Sequence, residues 1–336
     1  ELKRRKQIIR TDIRKIKTVT LTDLGKKLLT LDLKKEYIEA LTPSILKSDA
    51  WKQKPFRRYD VTINVPSITP AKRHFVNQAI QYIKRVWLDM GFKEMNGPLL
   101  DTTFWNFDAL FVPQDHPARE MQDTFYVQGT KPLPEKNLIN KVKRAHESGT
   151  PRSSGWRYAW DPKKARELVL RTHTTVLSAR TLAQLKKADL PAKYFAVGKC
   201  FRNEALDWSH LFEFNQVEGI VVDENVTFRN LLGYLKEFYK KLGFEKARFR
   251  PAYFPYTEMS VEIEIFHPHR KKWIELGGAG MFRPEVVVPL LGKDIPVLAW
   301  GPGYDRMMTD YYNITDIRDL YKNDLKQIQE MKMWMK

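Results

Sequence analysis

The stretch GKCFRNEALDWSHLFEFNQVEG, residues 198–219, sets Arg202 beside Glu204 and follows them with His210, Phe214, Gln216 and Glu218. About a hundred residues later, AWGPGYDRMM supplies Arg306, again just beyond a strand-like segment. Two arginines leaving strands suit a phosphate, because a guanidinium is planar, stays charged and binds phosphate oxygens bidentately. Taken alone, Arg202 and Glu204 read equally as a surface ion pair, worth about 0–1 kcal/mol. Two familiar nucleotide signatures are absent. GGAGMF lacks the Lys and Ser/Thr of a P-loop, and GPGYDR follows a strand but has arginine where the dinucleotide fingerprint needs its third glycine. Any nucleotide must therefore be held another way, and the arginine-bearing hairpin with AWGPGYDRMM is the candidate.

Composition bounds the scaffold that positions these groups. The 336 residues are 43% apolar and 12% aromatic, which suits a packed core rather than disorder. That length accommodates a large domain of roughly 250 residues plus a smaller appendage. No run of 18 uncharged apolar residues occurs, and ELKRRKQIIRTDIRK has no signal-peptide core, so a cytoplasmic chain without membrane association is expected. A single cysteine, Cys200, excludes an internal disulfide and a cysteine-rich zinc site. None of the seven histidines pairs with another at helical ligand spacing, which leaves an oxygen-bound metal as the expected kind. Beginning at Glu1 rather than methionine, the sequence is expected to be a piece of a longer chain. Residues 1–60 hold 17 Lys/Arg against 8 Asp/Glu, half of the net charge of +18. Such a surface favours a polyanion, nucleic acid above all, or is the solvated exterior of a heat-adapted protein.

Three segments follow along the chain. Residues 1–48 are basic and helix-prone, with Thr22 as a cap and leucines behind it, and resemble part of a winged-helix module. Residues 49–69 read as an extended linker or edge hairpin, with YDVTINV alternating like a strand between Pro55 and Pro66. Residues 70–336 form one large domain. It opens with a helix capped by Thr69, with Pro70 in its first position and Gly91 at its end. Phe75, Ala79, Ile80, Ile83, Trp87 and Met90 make its apolar face. Residues 129–165, rich in Gly, Pro and Ser, read as a long surface excursion. Beyond them KYFAVGKCF, EFNQVEGIVV, ARFRPAYF, SVEIEIF, KWIELGG and PVLAWG read as strands, interrupted by one helix around TFRNLLGYLKEFYKKLG. The fold class is α+β, a mostly antiparallel sheet flanked by helices.

Residues 70–325 resemble the catalytic core of class II aminoacyl-tRNA synthetases, and most closely the alpha-subunit family of the archaeal and eukaryotic phenylalanyl-tRNA synthetases. The opening helix with GFKEMNGPLL is similar to the first motif of that class, an interface helix and strand with its proline at Pro98. FRNEALDWSHLFEF resembles the second motif and GPGYDRMMTDYYNITDIRDLY the third. FDALFVPQDHPAREMQDTFY, LRTHTT and PAYFPYTEMSVEIEIFHP are similar to the phenylalanine branch. The resemblance implies the class II fold with a small N-terminal, partial winged-helix-like appendage.

It also implies roles. Arg202 and Arg306 become the catalytic pair, Arg202 on the alpha-phosphate and substrate carboxylate and Arg306 on the gamma-phosphate of a bent ATP. Phe214 and Arg306 would sandwich the adenine, Glu204 read its amino group, His210 touch the outer phosphates, and Glu275 belong to the ATP set. Glu258 matches the ligand position for Mg2+, with Glu262 and Glu275 as helpers; Glu262 reads equally as the polar face of an alternating strand. The phenylalanine set is His173, Thr175, Gln216, Glu218, Phe254, Tyr256, Phe282, Ala299 and Gly301. Gln216 and Glu218 would take the ammonium, and Ala299 and Gly301 would leave room for the ring. For Tyr256 and Phe282 the alternative is an ordinary place in the aromatic core.

The implied function is ATP-dependent formation of phenylalanyl-adenylate and transfer to tRNA(Phe). An inactive paralogue serving as an RNA-binding scaffold and a phosphoserine-charging relative are the alternatives. The aromatic YFPY and the QVEG strand fit phenylalanine better than a phosphate. An apolar pocket rejects an added hydroxyl by roughly a hundredfold at best, so tyrosine would need editing. Neither an editing nor an anticodon-reading domain is recognisable in these residues, which points to a beta subunit in an (αβ)2 heterotetramer and to an alpha chain inactive alone.

Overall fold

The computed structural model describes residues 14–31, 36–60, 62–63, 72–120, 123–151, 153–267 and 271–332. Backbone contacts divide the chain into two units, Glu1–Pro70 and Ala71–Lys336.

In the first unit, helix α1 (Asp23–Leu29) begins where Thr22 is extended and its Oγ1 accepts a hydrogen bond from Gly25 N at 3.2 Å, the cap expected from sequence. Helix α2 (Pro43–Lys47) repeats the device, with Thr42 Oγ1 accepting from Ile45 N. Leu24, Leu28 and Leu29, expected to lie behind the first helix, are exposed. YDVTINV forms no strand among its described residues. Asp60 Oδ1 instead accepts from Thr62 N at 2.8 Å and bends the chain.

The second unit opens with α3 (Phe75–Asp89). Thr69 and Pro70, the expected cap and first position, lie outside the described residues. The helix starts after His74, whose Nδ1 accepts from Val76 N at 3.2 Å. It stops at Gly91, where φ of +80° needs a residue without a Cβ. Phe75, Ala79, Ile83, Val86 and Trp87 are its buried stripe. The chain continues through β1 (Lys93–Glu94), β2 (Leu100–Thr102), α4 (Thr103–Asn106), β3 (Tyr126–Thr130), α5 (Lys136–Ser148), β4 (Glu167–Leu170) and α6 (Thr175–Gln184). The hairpin β5 (Ala192–Phe201) and β6 (Glu213–Val222) follows, then α7 (Phe228–Lys241), β7 (Ala247–Pro251), β8 (Thr257–His267) and β9 (Lys272–Phe282). Last come α8 (Pro284–Leu291), β10 (Val297–Trp300), α9 (Asp305–Tyr311) and α10 (Leu325–Glu330).

The large sheet runs β1-β5-β6-β10-β9-β8-β7, and every pairing but β1–β5 is antiparallel. A smaller sheet runs β2-β4-β3. Strand period two sorts the side chains of the central strands between two cores. Val217 and Val221 of β6 and Leu298 and Trp300 of β10 pack with α3 and α7. Ile220, Val222, Val297 and Ala299 pack with α4, α5, α6 and α8. Trp300 approaches the neighbouring strand so closely that a Cβ on Gly219 would sit 2.2 Å from its ring.

Two helices differ from expectation. The excursion at 129–165 contains α5, which buries only Val142, Ala145 and His146 among lysines, so its apolar stripe is too thin to read. PEVVVPLL is α8, apolar but for Glu285 and interrupted by Pro289, so eight residues carry no visible helical period.

Candidate active site

A cleft of about 330 Å3 opens against the central strands of the large sheet. Its wall brings together Arg202, Glu204, His210, Phe214, Gln216 and Glu218 of the hairpin with His173 and Thr175 ahead of and at the start of α6. Phe254, Tyr256, Glu262 and Glu275 line it from β8, β9 and the turn before them, and Ala299, Gly301 and Arg306 from β10 and α9. Two expected site residues stand apart from that wall. Phe282 is buried behind Tyr256, their ring centroids 6.2 Å apart, and Glu258 is exposed at the start of β8.

The hairpin register orders the groups along one strand. Phe214, Gln216 and Glu218 share a face of β6 because strand side chains alternate, so they succeed one another at roughly 7 Å intervals. Their partners on β5 are Cys200, Gly198 and Ala196, small residues that leave that face open. On the facing strand a Cβ at Gly301 would come 2.4 Å from Gln216 Nε2 and 3.2 Å from Glu218 Oε2. Glycine there permits the cleft floor to reach both polar side chains.

Glu218 is fully buried, and no cation pairs with it among the described residues. Its Oε1 accepts from Ser178 Oγ at 2.6 Å, and Oε2 accepts from Thr174 Oγ1 at 3.2 Å and Thr175 Oγ1 at 3.1 Å. Burial pushes its carboxyl up to about 8, while the three hydroxyls act in the opposite direction. The N-terminal end of α6 also favours the anion. The result is a buried carboxylate that lacks a cation. Burial pushes the neighbouring His173 imidazole down to about 3, with the Arg202 charge adding to the effect, and raises the Tyr256 phenol to about 12. His173 is therefore neutral near pH 7 and lies tilted to Tyr256 at 6.2 Å between ring centroids. The rings of Tyr256 and Phe254 stack 6.2 Å apart at 23°, and a Cβ on Gly278 would strike the Phe254 ring. The amino-acid end of the cleft is thus aromatic-walled with a carboxylate at its base.

The other end is cationic. The Arg202 guanidinium lies 4.9 Å from the Phe214 ring centroid, donates from Nε to Thr172 O at 3.2 Å and stands 3.8 Å from Glu204. Arg306 Nη1 donates to Glu275 O at 3.2 Å. On the loop, Asp207 Oδ1 accepts from His210 N at 2.7 Å and its carboxylate lies 3.0 Å from His210 Nδ1. These hydrogen bonds hold the Asp207 carboxyl well below its ordinary value.

Several residues of the site were not singled out from sequence. Asp305, beside Arg306, is buried and accepts from Asn215 N at 2.9 Å, Asn215 Nδ2 at 2.8 Å and Tyr321 Oη at 2.6 Å. It clasps β6 to α9, and Tyr304 N donates back to Asn215 O at 2.9 Å. Burial pushes its carboxyl up to about 6 against those bonds. Thr174 and Ser178 form the hydroxyl set behind Glu218. Their visible signal is the hydroxyl-rich THTTVLS run ahead of an apolar helix.

Such a cleft can hold a polyphosphate at its arginines, a purine on Phe214 and an ammonium at Glu218. A family model described as tRNA synthetases class II core domain (F) matches residues 58–331. The chain belongs to that family. The chain is 51% identical to the phenylalanine–tRNA ligase alpha subunit of Methanothermobacter thermautotrophicus, over 97% of this chain and 63% of that one. It is 46% identical to the same-named subunit of Methanopyrus kandleri over 98% and 64%. With that of Thermoplasma volcanium the identity is 43% over 98% and 68%. The chain therefore spans about two thirds or less of the length of these relatives. The crystal structure of pyrrolysyl-tRNA synthetase from Desulfitobacterium hafniense shares the fold, with a TM-score of 0.51 at 14% identity over 75% of this chain and 74% of that one. No helix among the described residues of this class II core is long and apolar enough to cross a membrane.

Proposed function

We propose that this chain is the catalytic alpha chain of a phenylalanine–tRNA ligase, which activates L-phenylalanine with ATP and transfers it to tRNA(Phe). The observation that carries the reading is the single cleft in which a buried, cation-free carboxylate, an aromatic wall and two arginines follow one another along β6 and its neighbours. Glu218 and Gln216 take the α-ammonium, Phe254 and Tyr256 flank the ring, and Ala299 and Gly301 leave space beneath it. Phe282 supports Tyr256 from behind.

ATP occupies the arginine end, with the adenine on Phe214 and its amino group toward Glu204. The phenylalanine carboxylate attacks the alpha-phosphate, forming the acyl–phosphate bond as the bond to pyrophosphate breaks. Arg202 neutralises charge on the alpha-phosphoryl oxygens, and Arg306 and His210 hold the outer phosphates. The carboxylate supplies its own electron pair, so no general base is needed.

The residues also fit Mg2+. Glu262 and Glu275 put two carboxylates on the cleft wall, and no group of three or more acidic, His or Cys side chains gathers among the described residues. That donor set suits an ion that takes one or two carboxylates together with phosphate oxygens and water. Glu262 and Glu275 would hold it, whereas Glu258, the ligand expected from sequence, stands apart from the wall. When bound it neutralises phosphate charge.

The name of the relatives' subunit supports a beta partner, and the basic N-terminal stretch supports tRNA(Phe) as the polyanion; an (αβ)2 assembly in the cytoplasm is part of the same proposal. ATP–pyrophosphate exchange by the complete assembly, measured across the twenty amino acids and phosphoserine, tests the proposal. Exchange with phenylalanine alone is expected. Exchange with phosphoserine, or with none, refutes it.

A further inference from the structure

Building on that reading, we propose that Ser178, supported by Thr174, is a positioning residue that aims the Glu218 carboxyl group and eases its ionisation. It thereby sets the pH range over which the cleft accepts an α-ammonium ligand. Thr175 lines the cleft and touches both solvent space and Glu218, but Ser178 and Thr174 are completely buried and lie outside the cleft wall. Neither can reach a ligand. Each nevertheless directs its hydroxyl at the carboxylate, Ser178 at 2.6 Å to Oε1 and Thr174 at 3.2 Å to Oε2.

The helix geometry makes the set possible, because positions 174, 175 and 178 fall on one side of the first turn of α6. Thr174 even occupies the N-cap without making the usual cap hydrogen bond. Its hydroxyl serves Glu218 instead. Oε1 has Ser178 as its one hydrogen-bond donor among the described residues, whereas Oε2 has two, so Ser178 carries the larger share.

No charged group takes the place of these hydroxyls on Glu218. Arg171, just after β4, is the nearest buried cation: its guanidinium lies on Gly198 of β5 and is spent on backbone carbonyls, donating from Nε to Lys199 O at 2.7 Å and from Nη1 to Pro98 O at 3.5 Å. From the segment ahead of α6, His173 is neutral; from β5, Cys200 is neutral because burial raises its thiol to about 12; and from the turn before β8, Tyr256 is neutral with its phenol up at about 12. Arg202 is turned to Thr172 O and the Phe214 ring. From β6 and β10, Gln216 and the backbone at Gly301 approach without charge. Hydrogen bonds to an ionised carboxylate lower its pKa, and here they are what resists burial.

The consequence is specific. Ser178→Ala removes a donor that the ionised carboxylate has in both free and ligand-bound states, so affinity above the midpoint is unchanged. Below the midpoint the variant must also lose a proton that the parent loses more readily. Phenylalanine affinity should then fall by about tenfold at pH 6.5, one pKa unit being one decade, and converge with the parent by pH 9.5. Thr174→Val, which leaves Oε2 its Thr175 donor, should give a smaller loss with the same convergence. Ala favours helix more than Ser, so folding is preserved.

The test is calorimetric titration of L-phenylalanine into the complete assembly, parent and variants, from pH 6 to 9.5. Infrared titration of the Glu218 carboxyl band, assigned with Glu218→Gln, accompanies it. A tenfold gap that closes with rising pH, with an upshifted carboxyl band in Ser178→Ala, supports the proposal. A constant offset, or identical curves and bands, overturns it. Failure of the parent to bind phenylalanine at any pH would instead sink the functional reading, and the infrared titration would still decide what Ser178 does.

Discussion

Glu218→Gln gives the most informative perturbation, because it keeps the shape of the side chain and removes its ionisation. Burial raises the Glu218 carboxyl from 4.5 to about 8, a displacement of about 3.5 units. At 1.36 kcal/mol per unit this corresponds to a ceiling of about 5 kcal/mol of differential stability. The sign follows from proton binding. Between pH 4.5 and about 8 the folded chain retains a proton at Glu218 that the unfolded chain has lost, so the contribution of Glu218 to stability falls as pH rises through that window. That contribution is level below and above it. Glu218→Gln lacks this dependence. Urea unfolding of both proteins at pH 4.5, 7 and 9 without phenylalanine should show the variant gaining steadily on wild type, by several kcal/mol at pH 9. Phenylalanine, whose ammonium pairs with the carboxylate, should restore wild type and leave the variant unmoved. A difference between the two proteins that is independent of pH, or one in which wild type gains on the variant as pH rises, would refute the argument that Glu218 is a buried carboxyl group without a cation.

Phe214→Ala removes the ring under Arg202 and the proposed adenine stack; the KM for ATP should rise roughly tenfold, at about 1–1.5 kcal/mol, with the KM for phenylalanine little changed in exchange assays. Gly301→Ala drives a Cβ to within 2.4 Å of Gln216 Nε2 and 3.2 Å of Glu218, so phenylalanine binding measured by calorimetry should weaken at least tenfold while ATP binding persists. Gly219→Ala overpacks against Trp300 on the opposite face and should lower stability by about 1–3 kcal/mol in urea unfolding, without altering the pH dependence that Glu218 confers.

The sheet was legible because its strands alternate and end at turn residues, as Val261, Glu262, Ile263, Glu264 and Ile265 do. The same alternation puts Phe214, Gln216 and Glu218 on one face, so the hairpin could be read as a single site. What escaped notice depends on tertiary contact. Burial of Asp305 by Asn215 and Tyr321 is invisible in DRMM, where an acid before an arginine reads as a local ion pair. Ser178 and Thr174 look like ordinary helix-start hydroxyls until β6 brings Glu218 against them. The helix α8 carries no readable period because, Glu285 apart, its short run is apolar throughout. The outlying places of Phe282 and Glu258 depend on how β8 and β9 turn, which neighbouring residue types do not specify.

The central claim is that one cleft seats both substrates end to end along β6. A crystal structure of the complete assembly with a non-hydrolysable phenylalanyl-adenylate analogue tests this directly. The ammonium is expected within hydrogen-bond distance of Glu218 and Gln216, the phenyl ring between Phe254, Tyr256 and Ala299, the phosphoryl mimic on Arg202, and the adenine on Phe214. An analogue bound with its ammonium away from Glu218, or with its adenine off Phe214, would contradict the account.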